Sequence, residues 1–395
     1  MKEPKIRFKG FKGEWEIDKI GNFSTSFSGG TPTAGISAYY GGNIPFIRSG
    51  EIHEDKTELS LTEKGYNNSS AKIVEKGTLL YALYGATSGD VAISKIRGAI
   101  NQAILAITPY RSIETDFLAD FLLCNKYKIV GELLQGGQGN LSGSLVKDIN
   151  VAYPCISEQQ SIASYFQHLD AFIQSTTKKI ESLKQVKAAS LQSMFPQEGE
   201  TTPRVRFKGF EGEWEKVPFS ELYEPSSIKN KTFGADKIIS VANMYLKPVS
   251  YISDEEYLKS YNVMNLGDIA FEGNKSKDYA HGRFVENTIG NGIVSHVFIV
   301  LKPISKQYDL QFWKYLINYE RIMGPILLRS TKHSTMMTDL VVSDFLKESV
   351  LVPSYEEQIE IGKILSTLDR QITLQSQRLE KLKQIKAACL DNMFV

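Results

Sequence analysis

A chain of 395 residues, 42% hydrophobic and 23% charged, is long enough for two cores of ordinary domain size and has the balance of a soluble globular protein. No run approaches the roughly 18 apolar residues of a membrane span, the start is unlike a signal peptide, and three scattered cysteines (Cys124, Cys155, Cys389) without a CxxC pair point to a reducing cytoplasm rather than disulfides or a thiolate metal site. The formal net charge is +1, and about +1 again for each of 1–150 and 201–345, so composition gives no electrostatic footprint for nucleic acid; such a role has to rest on local faces.

The chain opens with Pro4-Lys-Ile-Arg7-Phe8-Lys9-Gly10-Phe11-Lys-Gly13-Glu14-Trp15-Glu16, and the same pattern returns at Pro203–Glu215, 199 residues later, with ten of thirteen positions identical. Aromatic packing of Phe8, Phe11 and Trp15 with glycine turns is the expected role. Phosphate contacts by Arg7 and Arg206 are the alternative. Strand-like runs follow at Asn43–Arg48, Thr78–Tyr84 and Gln102–Thr108, then a helical stretch near Asp116–Lys126.

From Ser157 to Phe195 the chain reads as one long helix. Its final Ile180–Phe195 returns as Leu379–Phe394 with ten of sixteen positions identical, again 199 residues on. Apolar residues at Ile162, Phe166, Leu169, Ile173, Ile180 and Leu183, and at Ile361, Leu365, Leu368, Ile372, Leu379 and Leu382, make the narrow stripe of a coiled-coil helix, with Thr176 or Gln375 in one seam place. Ser157 with Gln160, and Ser354 with Glu357, fit capping boxes after Pro154 and Pro353. A helix of this length, roughly 58 Å, needs a partner along its stripe, and the other copy is the obvious one. Connectivity then requires the two to run in opposite directions, as a spacer with one domain at each end. By the same symmetry the opening segment sits against the end of the second helix.

Between the helices, Lys237–Asn243, Gly267–Phe271 and Ile293–Leu301 are strand-like and Leu310–Tyr319 is helical, in the same order as before. The expected fold class is therefore α+β: two mixed, mostly β domains separated by a pair of long antiparallel coiled-coil helices, in a pseudo-twofold repeat of 199 residues. The expected bounds are 1–153, 154–196, 197–352 and 353–395.

The frames repeat, but the turn-rich segments between them differ, and those are the candidate contacts. In the first domain the candidates are Arg48, Thr87, Ser88, Gln102, Gln135, Gln138, Asn140 and Ser142. In the second they are Asn274, Lys275, Lys277, His281, Arg283, Arg329, Lys332 and His333. Gln, Asn, Arg and Lys can make paired hydrogen bonds to base edges, and the neighbouring glycines let backbone approach phosphates. Plain surface loops are the alternative for any one of them.

Catalytic signatures are missing. Gly137-Gln-Gly139-Asn-Leu-Ser142 only approaches GxGxxG and lacks the strand–helix frame; there is no GxxxxGK[ST] loop. None of the thirteen prolines is adjacent to another, so the Asn/Asp-Pro-Pro-aromatic motif of amino-methyltransferases is absent, and the five histidines are scattered. The pattern is that of a binder without a metal or cofactor of its own.

The layout of two variable domains and two helices, the Pro-x-x-x-Glu-Gln helix openings (Pro154…Glu158-Gln159, Pro353…Glu357-Gln358), and Gly29-Gly30-Thr31-Pro32, Tyr39-Tyr40-Gly-Gly42-Asn-Ile-Pro45 and Asn101-Gln102 resemble the specificity subunit of type I restriction–modification systems. The second domain lacks the Gly-Gly-Thr-Pro and Asn-Gln signatures. The resemblance implies a non-catalytic chain whose target recognition domains each read one half of a bipartite site in double-stranded DNA. The helices would set the gap and dock two methyltransferase subunits. S-adenosylmethionine would sit on those partners, and ATP with Mg on the restriction subunits of the full complex. A two-headed protein-binding scaffold is the rival.

Overall fold

The computed structural model describes residues 3–134, 140–248, 255–333 and 337–395, with backbone alone at Leu134 and His333. The chain divides into two compact units, Met1–Thr177 with Gln377–Val395, and Lys178–Ser376. Each unit thus takes the first half of one long helix and the second half of the other. The helices run Ile156–Met194 and Tyr355–Met393, 39 residues each.

In the first unit, strand Glu16–Lys19 pairs antiparallel with Asn150–Tyr153 and brings the start of the unit beside the start of its helix. A four-stranded antiparallel sheet follows, in the order Ser24–Ser28, Ile104–Pro109, Leu79–Ala82, Val91–Ile93. A second sheet joins Tyr40–Ile47 to Gly98–Ile100 in parallel. The second unit repeats these parts: Glu215–Pro218 with Ser349–Val352, and the order Tyr223–Ser226, Ile299–Pro303, Ile269–Glu272, Arg283–Glu286. The parallel pairing survives there as one bridge, Ile238 to Ile293.

Several expected bounds shift. The apolar run Ile293–Leu301 is two strands, Gly292–Val294 and Ile299–Pro303, because the chain turns at His296-Val297, where the Phe298 amide donates to Ser295 O. The helix expected at Leu310–Tyr319 stops at Leu316, and a further helix, Glu320–Ser330, follows with Pro325 inside it. In the first unit Thr115–Cys124 is likewise followed by a helix at Lys126–Leu134.

The repeated Met-Phe at each helix end explains itself in the cores. Phe394 lies 5.3 Å from the Phe117 ring and stacks on Phe166 at 6.0 Å, with Trp15 edge-on to Phe117. Phe195 does the same with Phe312 at 5.6 Å and Trp214 at 6.0 Å. In the first unit Phe166 meets Phe394 while Asp170 takes the Lys386 ammonium at 2.6 Å, so the two helix segments run in opposite directions there. In the second unit Lys187 pairs with Asp369 at 2.6 Å, and Phe195 shares a core with Ile361. Of the expected stripe, Ile162, Phe166, Leu169, Ile180, Ile361 and Leu365 are buried, and Ile173, Leu183, Leu368, Ile372, Leu379 and Leu382 half-buried.

One interaction was not in the expected set. The Arg7 guanidinium donates Nε and Nη2 to the two oxygens of Glu158, both at 2.7 Å, and Nη1 to the Gly13 carbonyl at 2.7 Å. Arg206 repeats this on Glu357, at 2.8 and 2.7 Å, and on the Gly212 carbonyl. Both carboxylates are 1% exposed. Gly13 and Gly212, at φ of +92° and +80°, supply the left-handed turn that aims each carbonyl. The phosphate role considered for these arginines is therefore replaced by a clasp. The next residues complete it. Gln159 donates to the Pro154 and Ser112 carbonyls and accepts from the Glu114 amide; Gln358 donates to the Pro353 carbonyl and accepts from the Asp309 amide. The opening segments do dock on helix ends: the Ile6 amide donates to Asn392 O, and the Val205 amide to Ser193 O.

The caps differ from expectation. Ser354 accepts from the Glu357 amide at 3.4 Å, but Glu357 spends its carboxylate on Arg206 instead of closing the box. The first helix starts at Ile156, so Cys155 takes the corresponding place and Ser157 lies inside the first turn. The Ser157 hydroxyl, 3.3 Å from Cys155 Sγ, holds that thiol below its usual range.

A buried Glu286 and a half-buried Asp120 distinguish the units. Glu286 faces Ile269 where Ile93 faces Leu79, and burial pushes its carboxyl up to about 9, while the Tyr308 hydroxyl donates to its Oε1 at 2.5 Å. Asp120 is pushed up to about 7, by burial first and by Asp170 and Asp116 beside it.

Arg7→Met should cost about 3 kcal/mol, because it leaves the Glu158 carboxylate buried without its partner. Adding Glu158→Leu should recover much of that loss in a urea titration. Glu286 is protonated in the folded unit and ionised in the unfolded chain between its ordinary value of 4.5 and about 9. Its contribution to stability is full below 4.5 and lost as pH rises through 9. Glu286→Gln should therefore flatten the decline in stability from pH 5 to 9, read from melting temperatures across that range.

Candidate nucleic-acid interface

In the first unit the backbone of Leu83 is a junction. Its N–H donates to Ala103 O, and its carbonyl accepts from the Leu141 N–H at 3.0 Å and from the Ser88 hydroxyl at 3.2 Å. Three separate stretches meet there: the turn Tyr84–Asp90 between Leu79–Ala82 and Val91–Ile93, the segment around Gln102, and the chain from Asn140 into the short helix Gly143–Lys147. The structure thus brings Thr87, Ser88, Gln102, Asn140 and Ser142 onto one edge of the unit. Gln135 and Gln138 lie outside the described residues.

Most of the hydroxyls shape this edge. Thr87 donates to Tyr84 O, and Ser142 caps Gly143–Lys147 by accepting from the Leu145 amide. Gln102 Oε1 accepts from Thr31 at 2.6 Å. Asn140 is exposed. Arg48 stands at the end of strand Tyr40–Ile47, where the Asn101 amide donates to Ile47 O. Its guanidinium is held by Glu51 at 2.9 Å and by Glu58, which raises its pKa further. With Thr31, Tyr40, Phe46 and Asn101 it lines a shallow cavity of about 320 Å³. Sequence reasoning named neither Thr31 nor Asn101 as a site residue, although Gly29-Gly30-Thr31-Pro32 and Asn101-Gln102 were the motifs that stood out.

The second unit repeats the junction with other residues. The Thr338 amide donates to Gly273 O at 2.8 Å, as Leu141 does to Leu83 O, and the Thr338 hydroxyl contacts Gly273 O and His281 O, each at 3.1 Å. Asn274, Lys275 and Lys277 are exposed on the turn between Ile269–Glu272 and Arg283–Glu286. Lys332 and His333 lie on strand Thr331–His333, which pairs with Thr338–Leu340 and so joins the same edge; Lys332 is exposed.

Arg329 does not join it. Two bonds to Glu348, at 2.9 and 2.6 Å, draw its side chain to the neighbourhood of Ser349–Val352, where it lines a separate cavity with Lys216 and Arg321. Arg283 is half-buried behind the turn rather than on it, donating to Glu272 at 2.8 Å and to Ala242 O at 2.6 Å.

Each edge therefore presents polar side chains, joined in the second unit by Lys275, Lys277 and Lys332, on segments whose bases are fixed by backbone hydrogen bonds. That arrangement can make directional hydrogen bonds to an external surface. Among the described residues no group of three or more His, Cys, Asp or Glu could hold a metal ion, and no helix is long and apolar enough to cross a membrane.

Known proteins bear on this arrangement. The type I restriction modification DNA specificity domain matches residues 12–185 and again 211–384, the two matches one period apart. A type I restriction enzyme MjaIX specificity subunit from Methanocaldococcus jannaschii is 30% identical over 193 residues, which is 46% of this chain and only 44% of that relative's length. The MjaVIII specificity subunit of the same organism is 20% identical over 404 residues, covering 94% of this chain and 90% of the relative. A crystal structure of the S subunit of a type I restriction–modification system from M. genitalium superposes with a TM-score of 0.64 at 14% identity, covering 100% of this chain and 99% of that one, a likeness of fold.

Thr338→Val removes the hydroxyl that ties Gly273 to His281. It should cost about 1–2 kcal/mol. Hydrogen exchange should rise in residues 273–282 while the core amides near Phe284 stay protected.

Proposed function

Because the chain belongs to the type I restriction–modification DNA specificity family, we propose that it is the sequence-reading, non-catalytic subunit of such a complex. Each unit reads one half of a bipartite, asymmetric site in double-stranded DNA. The long helices set the gap and dock two methyltransferase subunits, which carry S-adenosylmethionine, and restriction subunits with ATP and Mg join them in the full complex.

The observation that carries this reading is the paired junction. At Leu83–Leu141 and at Gly273–Thr338 the same backbone hydrogen bond brings two turn-rich segments together, yet the side chains they present differ. A conserved frame with unlike contact residues is what two readers of different half-sites require, since base edges are discriminated by side-chain donors and acceptors. With a net charge of +1, the chain alone should bind DNA weakly, and the partners are expected to complete the basic channel.

The test is to reconstitute the chain with its modification subunits and map methylated adenines on a random-sequence library. A two-part motif of fixed gap is the expected result. Methylation without sequence preference, or a complex that binds proteins but not DNA, would overturn the reading and favour a protein scaffold. In the same assay Asn140→Ala should relax selectivity in only one half of the site, by about 1–3 kcal/mol if a paired base contact is lost. Equal loss in both halves would reject its assignment to one reader.

A further inference from the structure

The loop of the second unit is built more elaborately than its counterpart, and Arg283 stands behind it. Residues 274–281 leave and rejoin the sheet through Gly273 and Gly282. A Cβ on Gly273 would lie 2.2 Å from Thr338 O, and one on Gly282, at φ +75°, 2.7 Å from Glu272 O. Inside the loop the Ser276 hydroxyl accepts from the Asp278 and Tyr279 amides, and the Ser276 amide donates to Tyr279 O. At its base, Asn274 bridges to Met337 and the Thr338 hydroxyl holds His281 O.

Arg283 ties the loop to two further segments. Its Nε donates to Glu272 on the strand before the loop, a carboxylate only 10% exposed. Its Nη2 donates to Ala242 O on the turn Val241–Met244, whose Met244 has a φ of +47°. Its guanidinium carbon lies 5.0 Å from the centroid of the Tyr279 ring. One planar cation thus fastens the incoming strand, the loop and a third segment together. A lysine keeps the charge but not the rigid planar fork and face that hold these three directions in one geometry.

We propose that Arg283 is a positioning residue for the second half-site: it sets the orientation in which loop 274–281 meets DNA and does not itself contact a base. This deepens the reading that each unit recognises one half-site, and rests on it. A site whose supporting groups hold it within a fraction of an ångström discriminates better than a loose one, so losing the support should blur recognition at every base the loop meets.

The experiment uses the complete complex with its modification subunits and compares wild type, Arg283→Lys and Tyr279→Ala for methylation rates on duplexes carrying single changes in each half-site. Both variants should lose about tenfold discrimination spread over the positions of the second half-site, with the first half-site unchanged. Tyr279→Ala provides the second route should Arg283→Lys fail to assemble. The salt dependence of binding should keep its slope, since no phosphate contact is removed.

Loss confined to one base position would make Arg283 a reader, and a shallower salt slope with uniform weakening would make it a phosphate contact; either overturns the proposal. Unchanged discrimination in both variants also overturns it. A wild-type complex with no selectivity in the second half-site would instead defeat the function proposed above.

Discussion

A bidentate arginine–carboxylate pair, closed once in each unit, is the constraint on which the rest depends. Arg7 and Glu158 are 151 residues apart, as are Arg206 and Glu357. Each pair holds an opening segment against the first turn of the long helix that follows it. A carboxylate 1% exposed has lost its water, so its fixed partner is what makes the position tolerable. The fork geometry also fixes direction, and the adjacent Gln159 and Gln358 fasten the same turn to the unit's helical segment. The clasp defines a frame into which different readers fit.

Inside that frame the two units have drifted in ways the physics tolerates. The Tyr315 hydroxyl donates to Asp369 at 2.6 Å beside Lys187. The corresponding helix of the first unit has Asp120, raised to about 7. An apolar Ile93 on one sheet is Glu286 on the other, whose carboxyl burial pushes up to about 9 while its Oε1 accepts from the Tyr308 hydroxyl. The aromatic sockets for Phe394 and Phe195, in contrast, keep their tryptophan and phenylalanine partners. What is retained closes the frame; what varies lies in the sheets, on the helices Thr115–Cys124 and Leu310–Leu316, and at the loop edge.

Much of this was legible in the chain because a repeat doubles every signal. The 199-residue period, the two 39-residue helices and the docking of opening segments on helix ends follow from periodicity and symmetry alone. The clasp was not legible as a contact, since its partners are far apart in sequence, although Arg7 and Glu158 both recur at one spacing and could have been paired on that ground. Arg329 and Arg283 look like surface cations in the sequence. Only the fold reveals Glu348 and Glu272 waiting for them. The first cap was misplaced by two residues because Ser157 has the usual chemistry, whereas a cysteine stands at the true start. The junctions at Leu83 and Gly273 run through backbone groups, which leave no trace in residue identity.

A frame closed by the clasp should be indifferent to the reader it holds. The direct measurement replaces residues 215–352 by residues 16–153, leaving Arg206, Glu357 and both long helices in place, and maps the methylated sites of the resulting complex. Two copies of the half-site read by the first unit are expected. Retention of the original asymmetric site, or loss of all sequence preference in a complex that still assembles, would contradict it.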